Sequence, residues 1–332
     1  MSSRPLKQGI YVPLPTFFKD DEELDLDAYY KHVQYTAARG ILPVSCGSMG
    51  EAVHLDHEER AALIRTARRA LDDAGLQQVP ILAGAGQAST RETIKLAKEA
   101  AAAGADHVIV VPGGYYAGAL KSDSSTLKQF YVDVAAASPI PVMLYNFPAV
   151  AGGIDMDSDL IEEIAVAAPN TCGVKLTCGA VGKLTRITAL TTDPSFATTH
   201  PRTDPSAPFI TLCGFIDFLL PAVSSGAGGA ITGVPNFAPR VCAKLWELCL
   251  SDPLAAETKR LQNLVARADW AASNANIPGM KRLLNELFGY GYLPRRPLAP
   301  ISDAKAEAFL GNQYIQAILD LERKMEVEAG GQ

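Results

Sequence analysis

At 332 residues, 48% of them hydrophobic and 20% charged, the chain has an ordinary globular composition with ample material for a large core. Its formal charge is −6 and its pI about 5.5. The densest basic stretch, Arg60, Arg65, Arg68 and Arg69, has helical spacing, so neither nucleic acid nor an anionic membrane is expected as a partner.

No apolar run approaches the length of a membrane helix, and MSSRPLKQG (1–9) has no apolar h-region, so no secretory leader is expected. The six cysteines contain no Cys-x-x-Cys pair. Cys46, Cys172 and Cys213 sit in or beside apolar runs, where cysteine acts as a small hydrophobe. A reducing cytosol is the expected location.

GIYVPLPTFF (9–18) reads as a strand and its loop, and LDAYYKHVQYTAARG as a helix ended by Gly40. ILPVSCG is the second strand. Asp56 opens the next helix, with Glu58 and Glu59 placing negative charge at its positive end. VPILAGAG precedes a helix from Ser89, where Glu92 three residues on gives capping-box spacing. Then come DHVIVVP, a helix near 123–137, IPVMLYN, a helix near 157–168, TCGVKL and a helix near 180–192. APFITLCG, a short helix from 215 and GGAITG complete the series. The stretch 191–208, rich in Pro, Thr and Ser, reads as a long surface loop.

Eight strand-like segments, each followed by a helical one, imply a parallel sheet covered by helices. An unbroken run of eight points to closure as an α/β (β/α)₈ TIM barrel. The alternative, a doubly wound open sheet, would more naturally carry a Gly-rich phosphate loop after its first strand, and GIYVPLP has none. Residues 1–233 therefore form the expected barrel. Residues 234–332 read as helices over 237–251, 254–274, 278–288 and 303–326, a C-terminal extension packed on it.

In such a barrel the chemistry belongs at the carboxyl ends of the strands. Strand two ends in Gly47-Ser48-Met49-Gly50-Glu51, and strand four runs into Gly113-Gly114-Tyr115-Tyr116. Strand five ends in Tyr145-Asn146-Phe147-Pro148, strand six in Lys175-Leu176-Thr177, strand seven in Gly214 and strand eight in Ile231-Thr232-Gly233. Lys175 is the most informative residue, because lysine is rarely buried without a partner. An apolar setting favours the neutral amine, and a neutral amine attacks a ketone to give a Schiff base whose iminium serves as an electron sink. The alternative is a strand-end lysine that snorkels to solvent.

Tyr145 offers a phenol for proton transfer, or a core tyrosine with its hydroxyl satisfied by backbone. Ser48 offers a hydroxyl relay, and the N–H groups of its turn could hold a carboxylate, though Gly-Ser turns are common. Thr177 could bond a substrate hydroxyl or be a simple β-former. The five histidines, at 32, 54, 57, 107 and 200, do not supply the cluster a metal-dependent reaction needs. Neither metal nor cofactor is expected.

Taken together, GSMGE (47–51), YNFP (145–148) and GVKLT (173–177) resemble the dihydrodipicolinate synthase / N-acetylneuraminate lyase family of class I aldolases. The likeness runs from about Gly9 to about Leu310 and includes IPGMKRLL (277–284). The resemblance implies Lys175 as the Schiff-base lysine, Tyr145 as proton shuttle and Ser48 as the relay hydroxyl. Tyr116 would be the tyrosine that reaches into a neighbouring subunit's site. Backbone of Gly47, Ser48 and Met49 would hold the pyruvate carboxylate, Gly214 and Ile231 would line the pyruvyl pocket, and a homo-oligomer, dimer or tetramer, is implied.

Two departures matter. Val150 stands where dihydrodipicolinate synthases carry an Arg for the carboxylate of aspartate semialdehyde, and a buried valine there could not pair with it. Met49 replaces a usual Thr, which puts the hydroxyl relay through that position in question. Thr177, YNFPAV and NIPGMKRLL look more like the fungal 3-deoxy-hexulosonate aldolases and the 4-hydroxy-2-oxoglutarate aldolases. The implied substrate is thus a small 2-keto-3-deoxy sugar acid or 4-hydroxy-2-oxo acid, cleaved to pyruvate and an aldehyde. Competing readings are a dihydrodipicolinate synthase, a deoxy sugar acid dehydratase, or a silent barrel that binds a keto acid.

Overall fold

The structure, a computed structural model, describes residues 4–330. Residues 1–3 and 331–332, with the parts of the leader and helical-extension readings that fall on them, lie outside the described residues. Strands form at all eight apolar runs: β1 (Gly9–Pro13), β2 (Leu42–Ser45), β3 (Leu82–Gly84), β4 (His107–Val110), β5 (Val142–Asn146), β6 (Thr171–Leu176), β7 (Ile210–Cys213) and β8 (Gly229–Ile231). They follow one another in sequence order around a closed barrel, the (β/α)₈ fold expected from the alternation.

The helices are α1 (Leu26–Ala37), α2 (His57–Asp73), α3 (Thr90–Ala103), α4 (Ala117–Ser122), α5 (Ser124–Ala137), α6 (Ser158–Ala167) and α7 (Val181–Thr191). They continue with α8 (Pro194–Thr199), α9 (Leu219–Ser224), α10 (Pro239–Ser251), α11 (Ala256–Phe288), α12 (Asp303–Leu310) and α13 (Gln313–Gly330). The start signals act as the sequence suggests. Asp56 accepts from Glu59 N–H at 2.8 Å while the Glu59 carboxylate accepts from Asp56 N–H at 2.9 Å, a complete capping box. Ser89 Oγ accepts from Glu92 N–H at 3.2 Å.

Contacts group the chain into two compact units. One takes the chain up to Gln8, Gln78–Gly214 and Pro221–Ala230; the other takes Gly9–Gln77, Phe215–Leu220 and the chain from Ile231 onward. In the first unit, β3 to β7 form a continuous parallel ladder, and Cys213 pairs Ala230 of β8. Stretch 191–208, read as a loop, contains α8. Asp193 caps it by accepting from Ser195 N–H at 2.8 Å, Pro194 sits in its first turn and Phe196 is buried. Proline fits there because that turn's N–H has no helical acceptor anyway. Arg202 then pins the stretch, donating to Ala165 O at 2.8 Å and His200 O at 2.9 Å. A second addition is α4, ahead of the helix expected at 123–137.

In the second unit β1 and β2 pair in parallel, with Tyr11 opposite Leu42. Helix α10 packs on β1, and α13 packs on α10 and α11. Buried His32 lies among Phe17, Tyr35, Phe288 and Tyr290. Asn236 donates through Nδ2 to Pro13 O at 3.2 Å, so its Oδ1 accepts from His32 Nε2 at 2.9 Å. Burial pulls that imidazole down to about 4, against the opposing bond from Asn236. Helix α11 breaks at Asn276 (φ 56°, ψ −160°), just before Pro278. The helix expected over 303–326 is likewise two, because Gly311 ends α12 and the Asn312 side chain restarts the chain by accepting from Tyr314 N–H at 2.9 Å.

Segment 215–220 is tied to α11. The Asp269 carboxylate accepts from Ile216 N–H at 2.9 Å and Asp217 N–H at 3.2 Å, and Gln262 accepts from Leu220 N–H at 2.8 Å. Burial, reinforced by Asp217, pushes the Asp269 carboxyl up to about 7. The folded chain thus holds that proton more firmly than the unfolded one. Its contribution to stability is complete below the ordinary aspartate range and is lost as pH rises through about 7. Asp269→Asn keeps an acceptor without the charge. It should be more stable relative to the parent at pH 8 than at pH 5, by on the order of 1 kcal/mol, as read from urea midpoints. An unchanged difference would contradict the assignment.

Candidate active site

The site is built on one irregularity between β5 and β6. Val142 pairs Thr171, but Met143 pairs Gly173, so the register shifts by a residue and carries Tyr145 opposite Lys175. Without the shift Tyr145 would oppose Val174. Side chains alternate between the two faces of a strand, so a one-residue slip turns a whole strand over, and such bulges cluster near active sites. Glycine is required at the shift. Gly173 has φ +147°, and a Cβ there would come within 2.2 Å of Ile210 O.

The shift brings the two expected chemical residues together. Lys175 Nζ lies 3.0 Å from the Tyr145 hydroxyl and 4.2 Å from the centre of its ring. Both residues are 6% exposed, and no carboxylate pairs with Lys175 among the described residues. Phe147 stacks on Tyr145 at 5.6 Å between ring centres. The snorkelling alternative for Lys175 therefore does not hold. Nor does the core-tyrosine alternative for Tyr145, whose hydroxyl meets an amine.

Thr177, just past β6, is 8% exposed, and its buried Oγ1 has no hydrogen-bond partner. Leaving such a group unpaired costs about 1–3 kcal/mol, so an unpaired one invites a functional explanation. Gly214 packs against it, donating N–H to Leu176 O at 2.9 Å. A Cβ on Gly214 would fall 2.1 Å from Thr177 Oγ1 and 2.4 Å from its Cα. Only glycine leaves that hydroxyl in place.

Asn146 holds the loop that follows β5, accepting from Met156 N–H at 2.9 Å and donating to Asp155 at 2.7 Å. Asp155 also pairs with Lys183. Val150, expected to be buried, is 49% exposed, because it lies at the tip of the turn 147–153. Its apolar side chain still offers no cation to a carboxylate. Tyr116 lies on the surface at 68% exposed, edge-on to Tyr115, and is not a partner of the Lys175–Tyr145 pair.

In the other unit, Gly47, Ser48 and Met49 are half-buried. Gly47 O accepts from Gly50 N–H at 3.1 Å and Ser48 O accepts from Glu51 N–H at 3.1 Å. The N–H groups of Ser48 and Met49 have no acceptor among the described residues. Two consecutive free N–H groups in a turn form an anion-binding concavity. Ile231 is the buried last residue of β8.

Sequence reasoning overlooked what holds this turn. Glu51 is 1% exposed, with φ +53°. Its carboxylate accepts from Lys281 Nζ at 2.6 Å and from Arg295 N–H at 2.9 Å, and lies 3.1 Å from His54 Nδ1. Lys281 is itself 0% exposed. Burial draws its ammonium below the usual lysine range, and Glu51 opposes the shift. The available signal was that GSMGE carries a single charge, Glu51, among small and apolar residues, and that IPGMKRLL sets Lys281 directly after the apolar Ile277–Met280 stretch. Among the described residues, no group of three or more His, Cys, Asp or Glu is placed to hold a metal ion, and no helix is long and apolar enough to cross a membrane.

Residues 6–313 match the profile of the dihydrodipicolinate synthetase family. A protein of Emericella nidulans named "Probable 4-hydroxy-2-oxoglutarate aldolase, mitochondrial" is 41% identical over 327 residues, covering 98% of this chain and 99% of that one. The L-threo-3-deoxy-hexylosonate aldolase of Aspergillus niger is 40% identical over 336 residues, with 98% and 99% covered. Among solved structures, a dihydrodipicolinate synthase family protein from Coccidioides immitis superposes with a TM-score of 0.81 at 34% identity, covering 98% and 99% of the two chains.

Thr177→Val tests whether the orphaned hydroxyl is kept for a ligand. The change removes an unpaired buried polar atom at almost constant shape. It should therefore leave the fold as stable as the parent or up to about 1 kcal/mol more stable, while lowering turnover of hydroxylated substrates. A clear loss of stability in thermal melts would mean that the hydroxyl has a structural partner instead.

Proposed function

The chain belongs to the dihydrodipicolinate synthetase family, and from that premise we propose that it is a class I, pyruvate-dependent aldolase. It reversibly cleaves a 2-keto-3-deoxy sugar acid or a 4-hydroxy-2-oxo acid to pyruvate and an aldehyde. The observation that carries the reading is the buried Lys175 amine 3.0 Å from the Tyr145 phenol, with no carboxylate paired to it among the described residues. A lysine kept for stability alone would be paired with an acid.

In the proposed mechanism the unprotonated amine attacks the C2 ketone, giving a carbinolamine. Tyr145 passes the protons that let its hydroxyl leave as water, and an iminium forms. Electrons of the C3–C4 bond flow into the iminium while deprotonated Tyr145 takes the proton of the C4 hydroxyl, and the C4 fragment departs as the aldehyde. Protonation of the enamine at C3 and hydrolysis of the iminium release pyruvate and free the lysine. The iminium is the electron sink, so the reading uses no metal or cofactor.

The free N–H groups of Ser48 and Met49, with Gly47, are proposed to hold the pyruvate carboxylate, and the Ser48 hydroxyl to relay protons. Gly214 and Ile231 line the pyruvyl pocket, and Thr177 bonds a substrate hydroxyl. Tyr116, exposed on this chain, is proposed to enter a neighbour's site in a homodimer or homotetramer. The chemistry is assigned to the barrel over 1–233, with 234–332 as its helical extension. Val150 supports this choice over dihydrodipicolinate synthesis, since it cannot pair with a second carboxylate. The proposed location is the cytosol, which fractionation would test, since the E. nidulans relative is named mitochondrial.

Borohydride reduction in the presence of pyruvate should add a three-carbon unit to Lys175 by peptide mass, and its absence would sink the Schiff-base reading. Lys175→Ala should fold and show no turnover. Tyr145→Phe should slow catalysis by roughly 10²–10⁴-fold, as loss of a proton shuttle does, and a change under about threefold would remove Tyr145 from that role. A panel of 2-keto-3-deoxy acids, 4-hydroxy-2-oxoglutarate and aspartate semialdehyde, assayed for pyruvate release or consumption, identifies the substrate. A dehydratase would release water and no pyruvate.

A further inference from the structure

Beyond these roles, we infer that Lys281, on helix α11, is a positioning residue for pyruvate. It acts through Glu51 to fix the turn whose free N–H groups take the carboxylate. The inference rests on the pyruvate reading above. Its own support lies within the second unit.

The turn is clamped on its downstream side at two adjacent residues. Thr16 Oγ1 donates to Gly50 O at 2.7 Å, and a Cβ on Gly50 would meet Leu14 O at 2.8 Å. Next comes Glu51, in a left-handed conformation (φ +53°) that non-glycine residues adopt only at a cost. Its carboxylate is held by Lys281 Nζ at 2.6 Å and Arg295 N–H at 2.9 Å. Lys281 is fixed in turn by Leu293 O at 3.0 Å and by the Phe18 ring, whose centre is 4.4 Å from Nζ. Ser48 and Met49 lie directly upstream, and their N–H groups have no acceptor among the described residues.

A fully buried ion pair is a poor device for stability, because desolvation offsets the attraction and a well-packed apolar pair does as well or better. What such a pair does supply is one orientation. Two charges with defined partners hold the strained Glu51 backbone in place, and through it the direction of the N–H groups two and three residues upstream. Hydrogen bonds weaken steeply with misalignment, and those to a charged group are the strong ones, so misdirected N–H groups hold a carboxylate less tightly.

The test follows the rate of borohydride trapping of the full-length protein against pyruvate concentration, at a temperature where circular dichroism shows each variant folded. Lys281→Met should raise the pyruvate concentration for half-maximal trapping by at least about tenfold, the worth of one hydrogen bond to a charged group, while the limiting rate at saturating pyruvate stays within about threefold of the parent. A purely structural role would lower the melting temperature and leave half-saturation unmoved, and that result overturns the inference. So does a fall in the limiting rate at constant half-saturation.

Should Lys281→Met fail to fold, Glu51→Gln keeps the shape and the acceptor for Arg295 N–H while removing the charge that Lys281 meets. It should shift half-saturation in the same direction by about threefold or more, and parental half-saturation overturns the inference. Failure of the parent to trap pyruvate at all is a different outcome. It sinks the functional reading, and the inference falls with it.

Discussion

The slipped register between β5 and β6 is the constraint on which the proposed chemistry depends. Parallel neighbours present their side chains to a common face only where the residues are in register. The extra residue near Cys172 and Gly173 is what sets Lys175 opposite Tyr145 in place of Val174. Glycine at 173 allows the close approach to Ile210 O that the slip demands. That register sets the two side chains opposite each other, and their rotamers then bring amine and phenol to 3.0 Å.

Within each unit, polar groups sort by whether the protein satisfies them. Asn146 spends its side chain on Met156 and Asp155, and Glu51 spends its carboxylate on Lys281 and Arg295. Both are structural anchors. Thr177 Oγ1 and the N–H groups of Ser48 and Met49 are unspent. Polar groups left open at strand ends are ones a ligand can complete. This division separates what holds the molecule together from what is available for chemistry, and the proposed substrate contacts fall on the open side.

Several particular elements explain what reading the chain missed. The stretch 191–208 looked like a loop because Pro, Thr and Ser dominate it, yet Asp193 and Pro194 are a helix start, and buried Phe196 gives that helix something to pack with. The apolar type of Val150 suggests burial, but the residue lies at a turn tip, where exposure is set by the path of the backbone. The helix over 303–326 divides at Gly311 because the Asn312 side chain competes for the backbone as a cap. In each case a short-range polar contact or a turn outweighed composition.

The sequence by itself determined the eight-fold alternation, and hence the barrel, because apolar periodicity over many residues sums to a signal no single contact can override. It also determined which residues carry reactive groups at strand ends, since those positions follow from the alternation. Only the tertiary structure decided that Tyr145 faces Lys175, that the Thr177 hydroxyl is left unpaired, and that Glu51 and Lys281, 230 positions apart, share one buried ion pair. Those facts turn on register, burial and pairing between distant segments. None of these is a property of a local stretch of chain.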